Sequence, residues 1–205
     1  MIKNIIFDLG GVIITLSQQQ AIRCFRELGL ADADRHLDAY TQTGIFGRLE
    51  EGAISEEDFR RELSSMVGRE LSWEQCAYAW QGYALDVPKR NLSKLLDLRS
   101  RGYRVILLSN TNPFMMSWVD SGDFDGLGHG ISYYVDSMYL SYKLGVMKPS
   151  ARFFSEVLRS EAVVPAETLF VDDGQRNVEA AAKLGIHTFC PVNGEDWTSD
   201  IEHYL

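Results

Sequence analysis

Cysteine is scarce in this chain. Cys24, Cys76 and Cys190 are 3 in 205 residues, odd in number, scattered, and without metal-type spacing. A disulfide framework and a cysteine zinc site are thereby excluded, and the three are expected to be reduced core residues. Histidine is also sparse, with His36, His129, His187 and His203 isolated from one another. Positive charge is in deficit: 20 Lys and Arg against 29 Asp and Glu leave a net charge of -9. Such a balance argues against nucleic acid or an anionic membrane surface as partner. No apolar run is long enough to cross a bilayer. The N-terminus has neither the basic start nor the cleavage site of a signal peptide. The expectation is a cytoplasmic protein, monomer or homodimer, with a small molecule as its partner.

The chain is 45% apolar, enough for one sizeable core or a core with a small accessory domain. Ile5-Ile6-Phe7 is a short apolar run of the kind that forms a strand buried on both faces. It delivers Asp8 at its C-terminal end, followed by Gly10 and Gly11, which allow a sharp turn and close approach to a ligand. Val105–Leu108 is a second such run, ending at Ser109, and Thr168–Val171 a third, ending at Asp172 and Asp173. Tyr139-Leu140 and His187–Cys190 are shorter strand candidates. Helical periodicity separates them, in Leu92/Leu95/Leu96/Leu98, in Phe153/Phe154/Val157/Leu158 and in Val178/Ala181/Ala182. A terminal helix is expected over Asp196–Tyr204.

Strands alternating with helices predict an α/β fold, a doubly wound, Rossmann-like parallel sheet. Such sheets bind ligands outside the C-terminal ends of their strands, so Asp8, Ser109-Asn110 and Asp172-Asp173 are predicted to meet at one edge. From Ser17 to about Leu85 the texture is helical instead. Ser55 with Asp58 and Ser72 with Gln75 are capping boxes. The sequence predicts an inserted helical cap over 17–87, lying above Asp8 as a lid, with 1–16 and 88–205 forming the core.

Four stretches carry a family likeness: Phe7–Val12 (Phe-Asp-Leu-Gly-Gly-Val), Leu108–Asn112 (Leu-Ser-Asn-Thr-Asn), Tyr139–Pro149 (Tyr-Leu-Ser-x-x-Leu-Gly-x-x-Lys-Pro) and Val171–Asn177 (Val-Asp-Asp-x-x-x-Asn). Their order and content resemble the haloacid dehalogenase-like hydrolase superfamily, in the bacterial branch that includes glucose-1-phosphate phosphatase. Most members of that superfamily are magnesium-dependent phosphatases. The resemblance implies hydrolysis of a small phosphate ester, a sugar phosphate such as a hexose 1-phosphate, through an aspartyl-phosphate on Asp8.

A carboxylate that attacks a phosphate dianion meets like-charge repulsion, which a hard divalent cation with oxygen ligands relieves. Mg2+ is expected on Asp8, the backbone carbonyl of Gly10 and, by likeness to similar proteins, Asp173. Asp172 is either an outer ligand or a partner for Lys148. Lys148 supplies positive charge toward Asp8 and the phosphoryl group, whose oxygens the Ser109 hydroxyl and the Asn110 backbone N–H would hold. Asn177, a turn beyond Asp173, would orient the metal's carboxylate or waters. Asn112 is expected to cap a helix whose first residue is Pro113.

Family phosphatases usually carry a second Asp two residues after the nucleophile, for acid–base work. Gly10 stands at that position here. An acidic leaving group, such as an anomeric oxygen, would need less protonation. Haloalkanoic acid dehalogenases also lack the second Asp, but have no use for a metal; a non-catalytic phosphate-binding scaffold is the third alternative. Substrate selection is expected from the helical block, with Phe46–Gly52 as a loop offering Arg48 and Glu50, and with Trp73, Trp80 and Tyr83 as wall residues.

Overall fold

The computed structural model describes residues 1–38 and 42–205. Five strands form a parallel sheet in the order β5-β4-β1-β6-β7: β1 Asn4–Phe7, β4 Arg104–Ser109, β5 Ser137–Leu140, β6 Thr168–Val171 and β7 His187–Phe189. The first strand in sequence is central in space, and successive crossovers run to either side of it. That is the switch-point geometry in which a ligand crevice opens at the strand ends.

Register brings the chemistry together. Phe7 lies level with Leu107 on one side and Val171 on the other. One residue beyond Phe7 is Asp8, one beyond Val171 is Asp172, and two beyond Leu107 is Ser109. The Asp8 N–H continues the ladder by donating to the Val171 carbonyl at 2.9 Å.

Alternation along the strands divides the core. Ile5, Phe7, Val105, Leu107, Leu169 and Val171 face one layer, which includes α5 (Lys89–Ser100). Ile6, Ile106, Leu108 and Phe170 face α8 (Ala151–Glu161) and α9 (Gln175–Ala182) through Phe153, Phe154, Val157, Val178 and Ala181. This period of 2 with both faces apolar is what a doubly covered parallel strand requires.

Between β2 (Thr15–Leu16) and β3 (Ala84–Asp86) the chain forms α1 (Gln18–Glu27), α2 (Gly44–Glu50), α3 (Glu56–Val67) and α4 (Trp73–Gln81). Both capping boxes form, at Ser55/Asp58 and Ser72/Gln75. The β2–β3 ribbon was not foreseen, because so few residues carry no strand periodicity. It ties the entry of the helical layer to its exit, antiparallel, and Asn193 grips Leu16 by accepting from its N–H and donating to its carbonyl.

The layer is cored by rings. Phe46 meets Phe25, Phe59 and Trp80 at centroid distances of 5.1, 5.2 and 5.7 Å. This cluster is continuous with the sheet's own core, because Phe114 of α6 (Pro113–Val119) reaches Phe59 at 5.6 Å and Trp73 at 5.4 Å.

Three expectations change. Phe46–Gly52 is not a loop: Gly44–Glu50 is helical, stabilised by burial of Ile45, Phe46 and Leu49. The terminal helix shortens to a 3-10 turn over Asp200–Tyr204, with Trp197 buried ahead of it and its indole donating to the Val12 carbonyl at 2.7 Å. Cys24 and Cys76 are buried free thiols, but Cys190 is exposed just past the end of β7. Among the described residues no helix is long and apolar enough to cross a membrane.

Candidate active site

A cavity opens where the strand ends meet the helical layer, enclosing about 710 Å³ including its mouth. Its floor holds Asp8, Gly10, Ser109, Asn110, Lys148, Asp173 and Asn177, all predicted site residues, and its roof holds Gln42, Glu50, Trp80 and Tyr83.

Lys148 is the centre of the floor. It is 4% exposed, and its Nζ lies 2.8 Å from Asp8 Oδ1 and 2.7 Å from Asp172 Oδ2. Burial opposes its charge, but the carboxylates of Asp172 and Asp8 outweigh burial and raise its pKa. Asp172, fully buried, also accepts from the Gly174 N–H at 2.8 Å and from Asn177 Nδ2 at 3.0 Å. Of the alternatives for Asp172, the Lys148 pairing is therefore present. Asn177 turns toward Asp172 with both of its bonds.

The Asn110 side chain has a job the sequence did not reveal. Its Oδ1 accepts from the Lys148 backbone N–H at 2.8 Å and its Nδ2 donates to the Lys148 carbonyl at 3.0 Å. This two-point clamp fixes the loop that carries the lysine and leaves the Asn110 N–H free of that task. Ser141 was missed too: its hydroxyl takes the Thr111 N–H at 2.9 Å and donates to the Thr111 carbonyl at 3.1 Å, bracing the turn after Ser109. Asn112 caps α6 as expected, accepting from the Met115 N–H.

Asp8, Asp172 and Asp173 each offer a carboxylate oxygen, and the three oxygens lie within 4.8 Å of one another. Crowding of this kind is unfavourable without a cation. Burial pushes Asp8 up to about 8 against the pull of Lys148, and the other two carboxylates add to the rise. Burial and then Asp172 push Asp173 up to about 6. The donor set is hard oxygen, which fits magnesium. The turn after β1 makes room for it: a Cβ on Gly11, where φ is +76°, would lie 2.1 Å from Asp173 Oδ2. At Gly10 a Cβ would meet Leu16 Cδ1 at 2.6 Å, so an apolar side chain fills the space beside the position where family phosphatases usually carry their second Asp.

The roof separates the candidates. Glu50, Trp80 and Tyr83 line the cavity. Arg48 instead pairs with Glu62 on the exposed face of the layer. Trp73 packs on Phe114 at the other end of α4, two helical turns from Trp80. Burial, followed by the charge of Asp8, pushes Glu50 up to about 8. Gln42, Leu16, Thr111 and Met115 also line the cavity and were not singled out. Met115 alone had a signal, one turn into the helix capped by Asn112.

The haloacid dehalogenase-like hydrolase model matches residues 2–185. The chain belongs to that family. Among its relatives is a D-ribitol-5-phosphate phosphatase of Bacteroides thetaiotaomicron, 48% identical over 98% of this chain and 97% of that protein. Two solved structures share the architecture of this hydrolase. A predicted HAD-like family hydrolase of Porphyromonas gingivalis superposes with TM-score 0.95 at 41% identity, covering 100% of this chain and 98% of the other. A HAD family enzyme of B. thetaiotaomicron, crystallised with magnesium and inorganic phosphate, superposes with TM-score 0.89 at 36% identity, covering 97% and 98%. The chain is thus an enzyme of the HAD family with phosphatase relatives along its full length.

Proposed function

We propose that the chain is a magnesium-dependent phosphomonoesterase acting on small phosphorylated sugars or sugar alcohols, with Asp8 as nucleophile. The observation that carries this is the Lys148 ammonium held between Asp8 and Asp172 at 2.8 and 2.7 Å, beside the Asp173 carboxylate, in an enclosed cavity. A halide leaving group has no use for that carboxylate cluster. The relative that hydrolyses ribitol 5-phosphate makes a pentitol phosphate the first substrate to test, with a hexose 1-phosphate second.

Asp8, the Gly10 carbonyl and Asp173 would hold magnesium. When bound, the ion screens the charge of the incoming phosphate against the nucleophile. Lys148 keeps one oxygen of Asp8 occupied, which presents the other for attack. A bond forms from that oxygen to phosphorus as the ester P–O bond breaks, and the departing alkoxide takes its proton from solvent water, since Gly10 offers no side-chain acid. The Ser109 hydroxyl and the Asn110 N–H would hold phosphoryl oxygens while charge shifts among them. Water then cleaves the aspartyl-phosphate and restores Asp8. In this scheme residues 1–16 and 88–205 are the catalytic core and 17–87 the cap that closes over it.

Phosphate release from ribitol 5-phosphate should require magnesium, vanish with EDTA and return when the ion is restored. Release that ignores EDTA would overturn the proposal, as would chloride release from 2-chloropropionate.

A further inference from the structure

The mechanism proposed above uses the floor of the cavity and leaves the polar groups of its roof without a role. Glu50 is 8% exposed and lines the cavity. Among the described residues no hydrogen bond or ion pair reaches its carboxyl. Arg48, on the same helix, is spent on Glu62, and Lys148 is spent on Asp8 and Asp172. Trp80 lines the same cavity, and its indole Nε1–H is buried with no partner among the described residues. A buried polar group left unpaired costs about 1–3 kcal/mol; the Trp80 N–H is one, and Glu50 would become another if a ligand filled the cavity without bonding it.

That wall is also fixed in place. Just past α2, Gly52 has φ +73°, and a Cβ there would lie 2.2 Å from the Tyr142 carbonyl, so the chain packs backbone to backbone against the segment after β5. Trp80 is locked between Phe25, Phe59 and Tyr83. Tyr83 completes the set. Its hydroxyl donates toward the Asp38 carbonyl or Gln42 Oε1, at 3.2 Å each, which leaves oxygen lone pairs to accept.

The groups with bonding capacity to spare are the Glu50 carboxyl, the Trp80 N–H donor and the Tyr83 oxygen as acceptor. Adjacent hydroxyls of a polyol satisfy all three, because each both donates and accepts. A second anion would not fit. Among the described residues lining the cavity Lys148 is the one cation, and a carboxylate or second phosphate at the roof would be buried there without a counterion. We propose that Glu50, with the Trp80 indole, is the hydroxyl-recognition subsite, selecting phosphate monoesters of small neutral polyols over esters bearing a second anion. This rests on the phosphatase function proposed above.

The test is a ratio, measured with the full chain and magnesium. For Glu50→Ala, kcat/KM on ribitol 5-phosphate relative to p-nitrophenyl phosphate, which has no alcohol hydroxyls, should fall about tenfold or more. The loss should lie mainly in KM, and Glu50→Gln, which still donates and accepts, should recover part of it. A smaller fall in the ratio overturns the proposal, since both esters then suffer alike. A matched pair tests the wild-type enzyme without any variant: glycerol 3-phosphate should be preferred to 3-phosphoglycerate by about tenfold or more, and equal use overturns the proposal. Failure of the phosphatase function itself looks different. Wild-type protein would then release no phosphate from any of these esters with magnesium present, and the subsite would fall with it.

Discussion

Floor and roof of the cavity are held by different forces. The floor is charge at close quarters: one ammonium, its carboxylate partners, and a clamp from Asn110 on the lysine's backbone. The roof is ring against ring, with Phe46, Phe59 and Trp80 buried completely or nearly so, and among the described residues Glu50 and the Trp80 indole are left wanting polar partners. Electrostatic sites give up stability for readiness, since like charges brought together favour unfolding until a ligand arrives. Apolar layers do the reverse. Variants on the two sides should therefore move activity and stability in different proportions.

The sharpest contrast is Asp8→Asn. It removes the nucleophile, so turnover should drop by about a thousandfold or more. It also removes one of three crowded carboxylates, so without magnesium the melting temperature should hold or rise. A marked fall in melting temperature would mean that the floor is not strained by its own charge.

Lys148→Met comes next and should move both quantities. It leaves Asp8 and Asp172 buried without a counterion, a loss of about 3–5 kcal/mol, readable by urea titration in the absence of metal. Activity should fall about a hundredfold as the phosphoryl group loses its positive partner. Loss of activity with stability intact would break the claim that one lysine supports both fold and chemistry.

The floor was legible in the sequence and much of the roof was not, for a physical reason. Asp8, Ser109 and Asp172 each end a short apolar run, and parallel pairing lines up such ends without any knowledge of side-chain direction. Asn110 was singled out for its N–H, because nothing in Leu-Ser-Asn-Thr-Asn says that the side chain will grip a residue 38 positions away. On the roof, Gly47 and Gly52 lower helix propensity, so Phe46–Gly52 read as a loop although burial of Phe46 and Leu49 makes Gly44–Glu50 a helix. Once it is helical, Arg48 and Glu50 stand about 200° apart around the axis. One reaches the cavity and the other faces away. A loop reading could not tell them apart.

Phe59→Ala tests the roof as a packed layer. Phe59 is fully buried and touches Phe46, Trp80 and Phe114. Truncation should cost about 3–5 kcal/mol in stability, as much as Lys148→Met. Its effect on p-nitrophenyl phosphate turnover should stay within about tenfold, since no charged group of the floor is disturbed. A larger loss would show that the ring cluster controls the chemistry and not only the shape of the cavity.

Arg48→Ala should do least of all, and its smallness is informative. Its guanidinium bonds Glu62 with both side chains well exposed, at 46% and 42%. Solvent screens such a pair, and exposed pairs contribute little. The melting temperature should shift by no more than about 2 °C, and kcat/KM on ribitol 5-phosphate by less than about threefold. Placed beside Glu50→Ala, two residues along the same helix, the pair measures how sharply the roof is divided into an outer and an inner face. If Arg48→Ala lowered the preference for polyol phosphates as Glu50→Ala is expected to, the helix would have to rotate or unwind during turnover so that both side chains reach the substrate. The division drawn between the two faces would then describe only a resting state.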